Sequence, residues 1–403
     1  MISVSRLCKK KWFIILGIIC AVRPEYYGSQ LPIVDSILSN ISYVLFPFLI
    51  FLYYYGAGKG IIKTSPVVNL ILLLHLSYLL STALNHGYFY TIQRTTIYVV
   101  GFCVFTDLMS RYNPRGFIEA YYWIMLIYVT INFITILKYP EGIWYSASLT
   151  GNMKYLTHWF FSTENNFVVY ILPALCITVM RCYMVKKVSL LSIWMFIACA
   201  LSILLTFSGT GVVALSVFAV YMVLMYKNRL LEWVHFPQYM FASLGTFLFI
   251  VVFRLQKLFA FIIENLLGKS LTLTGRTDAW DWAMYWIRVK PIFGSGYETN
   301  EVITSKLHDT AATHCHNMFL DIAYRGGFVA LLIVISILYF CGKAEKYYKY
   351  NSLTRILTFS IFVFTGILFL TEAYFNQRTF FMLLTMLYEI GYIVQKCTES
   401  EVL

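Results

Sequence analysis

Long apolar windows recur along the whole chain and limit its fold more than any other feature of the sequence. An α-helix needs about 20 mostly apolar residues to cross about 30 Å of hydrocarbon, and most of the windows approach that length. The windows lie approximately at 12–22, 37–57, 66–84, 94–110, 117–137, 166–184, 188–206, 211–226, 238–256, 317–340, 353–371 and 379–395. The pattern predicts an all-α polytopic membrane protein with about 12 transmembrane helices.

The composition excludes an ordinary soluble domain. Hydrophobic residues make up 60% of the 403 residues and charged residues only 12%, whereas soluble domains average about 45–50% and about 25%. A soluble core could not bury this much apolar surface, but a bilayer can cover it. Lys9 to Lys11 and the apolar run from Trp12 to Val22 resemble a signal peptide, yet no A-x-A cleavage site follows. We predict an uncleaved first helix with snorkelling lysines.

The placement of lysine and arginine predicts the orientation. With the N-terminus in the cytoplasm, 18 of the 31 basic residues fall in cytoplasmic segments and 5 in short outer loops. The long segment 254–316 is also basic, but long segments are translocated regardless of their charge. The bias predicts that both termini are cytoplasmic and that 138–165 and 254–316 face out. The chain then divides into helices 1–9 (1–256), a large outer loop with short helices (257–316) and helices 10–12 (317–403).

A helix is predicted in the outer loop, opened by the segment 274–278. Asp278 near its start and Arg288 near its end suit the helix dipole. Trp280 follows Arg276 at helical spacing on one apolar stripe. Two interpretations of Arg276 stay open. It anchors lipid headgroups beside a helix on the outer membrane face, or it binds a phosphate at the water–lipid boundary.

A short turn follows this helix. Pro291 stops the helix, and Gly294 and Gly296 then flank Ser295. Glycines allow a tight turn and a close approach of the backbone to another group. An ordinary turn before the next helix explains the same residues equally well.

Histidines are concentrated at the end of the outer loop. His308, His314 and His316 are three of the seven histidines in the chain. A metal site with Asp309 is conceivable, but His-x-His spacing points two rings to opposite sides of a helix, and no fourth ligand has a usual spacing. We therefore predict no metal. A neutral histidine at the mouth of a membrane cavity can take a proton from a sugar hydroxyl, and a hydrogen-bonded interfacial histidine is the alternative.

Asp321 and Arg325 lie four residues apart, inside or near the bilayer. We predict that they pair along one helix face, which lowers the cost of their burial. Structural support is the main interpretation, and a phosphate contact by Arg325 is the alternative. The nine cysteines are scattered singly, so we interpret them as apolar fillers rather than disulfides or metal ligands.

The other outer segment, 138–165, is rich in aromatic residues. They are Trp144, Tyr145, Tyr155, His158 and Trp159. Rings of this kind stack on sugars, so the segment is a candidate wall of an acceptor groove. An interfacial aromatic belt is the alternative.

The order of these residues resembles the outer-loop signature of the O-antigen polymerase and O-antigen ligase family. The signature is carried here by Gly275-Arg276, Trp280, Pro291-x-x-Gly294-x-Gly296, His316-Asn317 and Gly327. The similarity covers approximately 200–340. The chain differs from the family at two positions. Ala330 stands where a further glycine is usual, and Gly209 follows Ser208 where many members carry arginine.

Members of that family act on polyprenyl-pyrophosphate-linked glycans at the outer face of the bacterial plasma membrane. The resemblance implies a metal-independent polysaccharide polymerase without a cofactor. Its donor would be a glycan on undecaprenyl pyrophosphate, and its acceptor a sugar hydroxyl of the next lipid-linked repeat unit. It implies that His316 removes the acceptor proton and that Arg276 stabilises the leaving pyrophosphate. It implies further substrate contacts from Arg254, Arg288, Arg325, Asn317, Gly294, Gly296 and Trp280.

Two other functions stay open. A ligase would share the fold and the chemistry but would transfer the finished glycan to lipid A core or to protein. A flippase or other transporter would usually show one half of the chain echoed in the other, and no internal repeat is visible. The implied partners are lipid-linked oligosaccharides, membrane lipids, and a chain-length regulator and flippase of the same pathway. Nucleic acid is not among them despite the net charge of +12.

Overall fold

The computed structural model describes residues 4–147, 155–227, 233–255, 258, 260–261, 276–308, 313–374 and 378–398. Most of these residues are helical. The first helices are α1 (Val4–Cys8), α2 (Lys11–Ala21), α3 (Glu25–Gln30), α4 (Pro32–Gly58), α5 (Pro66–Leu84), α6 (Phe89–Tyr112) and α7 (Pro114–Lys138). Two antiparallel strands follow, β1 (Trp144–Ala147) and β2 (Tyr155–His158).

The second half of the chain contains α8 to α18. After the strands come α8 (Val168–Val185), α9 (Leu190–Leu205), α10 (Gly209–Lys227) and α11 (Phe236–Phe247), which continues as a π-helix (Leu248–Val252). The predicted outer loop contains α12 (Arg276–Val289) and α13 (Asn300–Leu307). The last elements are α14 (Met318–Tyr348), α15 (Ser352–Val363), a π-helical turn (Phe364–Leu368), α16 (Phe369–Thr371), α17 (Arg378–Tyr388) and α18 (Ile390–Thr398).

Several of these helices are long and apolar enough to cross a membrane. In the described residues there are six: α4, α5, α7, α8, α14 and the run Ser352–Thr371 made by α15, the π-helical turn and α16. A seventh crossing results if α17 and α18, bent by 70° against each other, act as one span. The predicted all-α, multi-pass membrane protein is thereby confirmed.

The predicted number of twelve crossings stays a prediction. All twelve windows fall on helices, but four of these are shorter apolar helices: Lys11–Ala21, Leu190–Leu205, Gly209–Met225 and Phe236–Val252. The window 94–110 lies on α6, which carries Asp107 and Arg111 near its C-terminal end. The side of the membrane on which the loop and the termini lie also stays a prediction.

The charges on α6 are paired. Arg111 donates to Asp107 at 3.0 Å and to Glu389 at 2.7 Å. Asp107 also accepts a hydrogen bond from the hydroxyl of Tyr53 at 2.9 Å. Ionisable groups among apolar helices are tolerated when they pair and are hydrogen-bonded. The cluster therefore ties α4 and α6 to the bend between α17 and α18.

α5 packs against α6, α14 and α17. Two of its buried hydroxyl groups donate to carbonyls of the preceding turn, Ser77 to Leu74 at 2.7 Å and Thr82 to Tyr78 at 2.7 Å. These bonds satisfy polar groups where water is excluded, and small side chains let a neighbouring helix approach closely. This is why a helix with several hydroxyl residues can be buried here.

α14 is broken at Gly327, whose φ of 61° and ψ of −157° are not helical. The turn 291–297 takes up the freed backbone groups through hydrogen bonds on both sides of the break. They are Phe328 N–H to Pro291 O (2.7 Å), Val329 N–H to Ile292 O (3.2 Å), Ser295 N–H to Tyr324 O (2.6 Å) and Gly296 N–H to Arg325 O (3.0 Å). The predicted turn therefore completes the backbone hydrogen bonding of α14 at its break.

Candidate functional site

α12 lies against the N-terminal part of α14 and presents the predicted apolar stripe to it. Trp280 and Ala283 are fully buried and share a hydrophobic cluster with Tyr324 of α14. This burial orients the helix, because an apolar stripe of this kind packs in only one direction. The indole ring is consequently a structural contact of α12 as well as a member of the family signature.

The predicted polar ends of α12 are also present. Arg276 is its first residue, Asp278 lies in its first turn and Arg288 in its last. Asp278 and Arg288 thus suit the two ends of the helix dipole, whereas Arg276 places a positive charge at its positive end. Gly275 of the family signature lies outside the described residues.

The segment 313–317 is held between α12, α14 and α16. The indole N–H of Trp280 donates to the carbonyl of His316 at 3.2 Å. Asn317 caps α14, because its Oδ1 accepts a backbone N–H of the first turn at 3.0 Å, and its Nδ2 donates to the carbonyl of Leu370 at 3.1 Å. His316 has a φ of 45°, a left-handed conformation that persists when the surroundings hold it.

Glu372 joins the two predicted catalytic residues. It follows α16 directly and is 9% exposed. Its Oε1 lies 2.6 Å from Nη2 of Arg276, and its Oε2 lies 3.5 Å from Nδ1 of His316. Nε2 of His314 also lies 3.5 Å from Oε2. We call Arg276, His314, His316 and Glu372 the Glu372 cluster.

Hydrogen bonds and charge set the protonation states of the Glu372 cluster. The backbone N–H of His316 donates to Nδ1 of His314 at 3.1 Å, so neutral His314 carries its proton on Nε2, facing Glu372. Burial lowers the pKa of His314 to about 4, and this ring is neutral at pH 7. Burial raises the pKa of Glu372, but Arg276 and then the two histidines outweigh it and hold that pKa below its ordinary value. At neutral pH a carboxylate is thus balanced by a guanidinium.

The donor set of the Glu372 cluster also resembles that of a metal site. His314, His316 and Glu372 offer atoms within 4.8 Å of one another, and imidazoles with a carboxylate commonly bind zinc. However, Nε2 of neutral His314 carries a proton, and the guanidinium of Arg276 already neutralises the carboxylate. A bound dication would have to break both contacts. These residues therefore fit an ion-paired cluster better than a ligand set.

The metal site considered in the sequence analysis combined Asp309 with His308, His314 and His316. Asp309 lies outside the described residues. His308 packs against Trp282 instead, with ring centroids 4.2 Å apart. Of the three clustered histidines, His314 and His316 are the two that meet at Glu372.

Arg325 forms the ion pair predicted with Asp321. Its Nε lies 2.8 Å from Asp321 Oδ2, and both side chains are buried. Asp321 Oδ1 accepts the backbone N–H of Cys315 at 3.1 Å, and Arg325 Nη2 donates to the carbonyl of Thr313 at 3.3 Å. The pair thus fixes the segment that carries His314 and His316, in agreement with a structural role. The alternative phosphate contact by Arg325 stays a prediction.

Arg254 packs against the first turns of α12. Its Nη2 donates to Asp281 Oδ1 at 2.6 Å and to the carbonyl of Thr277 at 3.0 Å. Its guanidinium lies 5.0 Å from the ring centroid of Trp280. Because Thr277 follows Arg276 in the chain, Arg254 lies beside the N-terminus of α12, with its charge paired to Asp281.

Arg288 lies at one end of a long apolar groove. The groove runs between α11, the C-terminal half of α12 and α14, and its volume is about 1040 Å³. Its walls include Met240, Phe247, Ile287, Phe319, Leu331 and Leu338, and Lys343 and Lys346 line its far end. Nothing in the apolar windows indicated this groove, because it forms between helices that are distant in sequence.

Gly294 and Gly296 are at positions that require glycine. Their φ values are 70° and 73°. A Cβ on Gly294 would lie 2.5 Å from the carbonyl oxygen of Tyr324, and one on Gly296 would lie 2.6 Å from Cα of Thr82. The predicted close backbone approach is present, with the chain itself as the partner. A substrate contact by these glycines stays a prediction.

The aromatic segment 138–165 contains the β1–β2 hairpin. Trp144 and His158 are paired across the strands, and their rings stack with centroids 5.1 Å apart. Trp159 is buried, and its indole N–H donates to the carbonyl of Tyr139 at 2.9 Å. These rings therefore hold the hairpin in place, and their part in sugar binding stays a prediction.

Polar groups adjoin the Glu372 cluster on the side of α8 and α10. The hydroxyl of Ser208 donates to Asn165 Oδ1 at 3.2 Å. The hydroxyl oxygens of Thr210 and Thr371 lie 3.0 Å apart. Thr371 directly precedes Glu372, so the start of α10, next to the position at which many family members carry arginine, contacts the residue beside the cluster.

Glu372 and the role of His314 were missed from the sequence. The sequence did contain a signal for Glu372, since an acid at the end of the apolar window 353–371 is costly near a bilayer and often marks a functional site. Its contacts with Arg276 and His316 could not be derived, because they join helices whose packing no local pattern specifies.

The fold and the site define a multi-pass membrane protein with an ion-paired arginine, histidine and glutamate next to its membrane spans. Residues 194–335 match the family model described as O-antigen ligase. This match includes Arg276 and His316 and ends before Glu372. Comparison with curated proteins gives no match. The resemblance to the O-antigen polymerase and ligase family is confirmed over this segment, which is similar to membrane enzymes of O-antigen polysaccharide assembly.

Proposed function

We propose that this protein polymerises lipid-linked oligosaccharide repeat units at the outer face of the bacterial plasma membrane. The observation that carries the proposal is the convergence of Arg276 and His316 on Glu372. Transfer of a glycan from a pyrophosphate carrier needs a base for the acceptor and a cation for the leaving group. Two residues of the cluster have these chemical properties.

In this proposal His316 acts as the general base. Its Nδ1 faces the carboxylate of Glu372, and its Nε2 receives the proton of the acceptor hydroxyl. The acceptor oxygen attacks the anomeric carbon, and a glycosidic C–O bond forms as the bond from that carbon to the pyrophosphate oxygen breaks. The carboxylate stabilises the imidazolium that results.

Arg276 stabilises the leaving group. The pyrophosphate departs with the electron pair of the broken bond and gains negative charge. The guanidinium of Arg276, which donates to Glu372 through Nη2 in the structure, binds phosphate oxygens with the same planar set of N–H groups. Such contacts are stronger where bulk water is excluded. Arg254, which is paired with Asp281, lies beside the same turn of α12 as a further candidate contact for the phosphates, and the scheme uses no metal.

The apolar groove supports a lipid-linked donor. Its Arg288 end belongs to α12, the helix that begins with Arg276, and its walls are apolar from there to Lys343. A polyprenyl chain in the bilayer can pack along an apolar groove between membrane helices, whereas a nucleotide-sugar donor has no long apolar part to place there. We therefore expect undecaprenyl pyrophosphate, with its pyrophosphate near α12 and its chain along α14.

The family description favours a second function, transfer of the finished glycan to lipid A core or to protein. The bond-breaking chemistry at the Glu372 cluster would be the same for a ligase. The two functions differ in the acceptor, and a test must therefore vary the acceptor.

Complementation tests the proposal. A polymerase-null host that carries the matching repeat-unit pathway would express wild type, His316→Ala, Arg276→Ala or His308→Ala, with membrane levels checked. We expect a glycan ladder from wild type and from His308→Ala, whose ring stacks on Trp282 outside the cluster. The two cluster variants should give only single-repeat product. A wild type that yields no ladder here but restores glycan transfer in a ligase-null host would favour the ligase.

A further inference from the structure

Glu372 lies outside the family signature, yet the other three members of the Glu372 cluster contact it. Arg276 is 2.6 Å from its Oε1, and both histidines are 3.5 Å from its Oε2. A guanidinium binds carboxylate and phosphate oxygens with the same planar set of N–H donors. A substrate phosphate must therefore compete with Glu372 for Arg276.

We propose that Glu372 is a positioning residue whose carboxylate releases Arg276 and bonds to His316 when pyrophosphate binds. We call this change of partner the exchange. The inference rests on the proposed function. In the free protein Arg276 balances the carboxylate. When the donor binds, the guanidinium turns its N–H groups from Glu372 to the phosphate oxygens. The carboxylate then accepts the Nδ1–H of His316, which directs Nε2 to the acceptor.

The exchange provides each developing charge with a partner. Negative charge grows on the departing pyrophosphate, and Arg276 is bonded to it. Positive charge grows on His316 as its Nε2 takes the acceptor proton, and Glu372 is free to stabilise it. The Nδ1 proton stays on His316 throughout, so a single proton moves, from the acceptor hydroxyl to Nε2.

His314 keeps the carboxylate in place during the exchange. Its protonated Nε2 faces Glu372 Oε2, while its Nδ1 accepts the backbone N–H of His316. The ring therefore links the carboxylate to the residue that it orients. Because these contacts do not involve Arg276, Glu372 does not follow the guanidinium toward the phosphate.

Pyrophosphate binding tests the exchange without polymer formation. The purified full chain in lipid nanodiscs would be titrated with inorganic pyrophosphate by calorimetry. Glu372→Gln removes the competing charge, so we expect it to bind pyrophosphate about tenfold tighter than wild type, and Arg276→Ala to bind it at least about tenfold more weakly. Glu119→Gln is the matched control, because Glu119 pairs with Arg181 at 2.8 Å outside the cluster, and should bind like wild type.

Turnover with a lipid-linked repeat unit tests the second half of the exchange. Glu372→Gln should lower kcat about 100-fold, because His316 loses its carboxylate, while KM stays equal or falls. Glu372→Asp keeps the charge and should recover the rate to within about tenfold of wild type. A purely structural Glu372 would instead weaken pyrophosphate binding and raise KM in both variants.

The two proposals fail in different ways. Folded Glu372→Gln that binds pyrophosphate no tighter than wild type would overturn the exchange, and so would Glu372→Gln that polymerises at the wild-type rate. Tighter binding by Glu372→Gln in a protein that forms no polymer would support the exchange and reject polymerisation. If Glu372→Gln does not fold, Glu372→Asp, which withdraws the carboxylate by one methylene, must bind pyrophosphate tighter than wild type for the exchange to hold.

Discussion

At the residue scale, both backbone polar groups of His316 are hydrogen-bonded. Its carbonyl accepts the indole N–H of Trp280 and its own N–H donates to His314. Trp280 and His316 could be selected from the sequence because residue type and order carried the information. The left-handed backbone of His316 and the part played by His314 could not, because both depend on packing between α12 and α14.

The stability of the protein should depend on pH through His314. The pKa of this ring is about 4 in the folded protein, below its ordinary 6.5. Between these values the unfolded chain binds more protons than the folded one, so stability present above pH 6.5 is lost as the pH falls toward 4. We expect a loss of about 1–3 kcal/mol at pH 4, measured by thermal unfolding.

His314→Gln is the matched variant for that pH dependence. It removes the titrating ring and keeps a polar side chain of similar length. We expect its melting temperature to fall less than that of wild type between pH 7 and pH 4. Parallel curves for the two proteins would show that His314 is not the group responsible.

At the element scale, α14 differs from its prediction most clearly. The window 317–340 predicted one continuous helix, but the structure breaks it at Gly327 and docks the turn 291–297 there. The glycines of that turn were recognised from the sequence as a tight turn. The segment on which the turn packs could not be recognised. A hydrophobic run has the same sequence pattern whether or not its helical hydrogen bonds are interrupted. The β1–β2 hairpin was missed because its strands are only 4 residues each.

Gly296→Ala should disrupt the packing of this turn on α5. The φ of 73° disfavours any L side chain, and a Cβ would lie 2.6 Å from Cα of Thr82. We expect a loss of about 2–4 kcal/mol from backbone strain and overpacking together. Size-exclusion chromatography and thermal unfolding in detergent would measure it.

Gly245→Ala provides the control for that substitution. Gly245 is helical and has no heavy atom within 4 Å of an added Cβ. Alanine is favoured over glycine in a helix by about 0.5–1 kcal/mol, so this variant should be as stable as wild type or more stable. Equal behaviour of the Gly245 and Gly296 variants would refute the structural role of the turn.

At the scale of the whole molecule, the apolar windows predicted where the helices lie but not how they assemble. Window length and hydropathy are local properties, so the helices could be placed from the sequence. The bend of 70° between α17 and α18 and the groove beside α14 arise from contacts between distant segments. The Glu372 cluster is of the same kind, since α12, the start of α14 and the end of α16 must all be in place before it exists.

Filling the apolar groove should impair activity without touching the Glu372 cluster. Leu331 lines the groove at the middle of α14, and Leu331→Trp would obstruct a lipid chain there. We expect at least about a tenfold loss of polymer, mainly through a higher KM for the lipid-linked substrate. The neighbouring Leu332 is 47% exposed and does not line the groove, so Leu332→Trp should be near wild type. Equal activity of both variants would argue against lipid binding in the groove.

The most direct test of the account is polymer synthesis by the purified protein from a single lipid-linked repeat unit, followed on a gel with the release of the pyrophosphate lipid. Wild type and His308→Ala should form polymer and release one pyrophosphate lipid for each new linkage. His316→Ala should be slower by about 100-fold or more, because the acceptor hydroxyl has lost its base. Polymer formation by folded His316→Ala at the wild-type rate would contradict the assignment of the reaction to the Glu372 cluster.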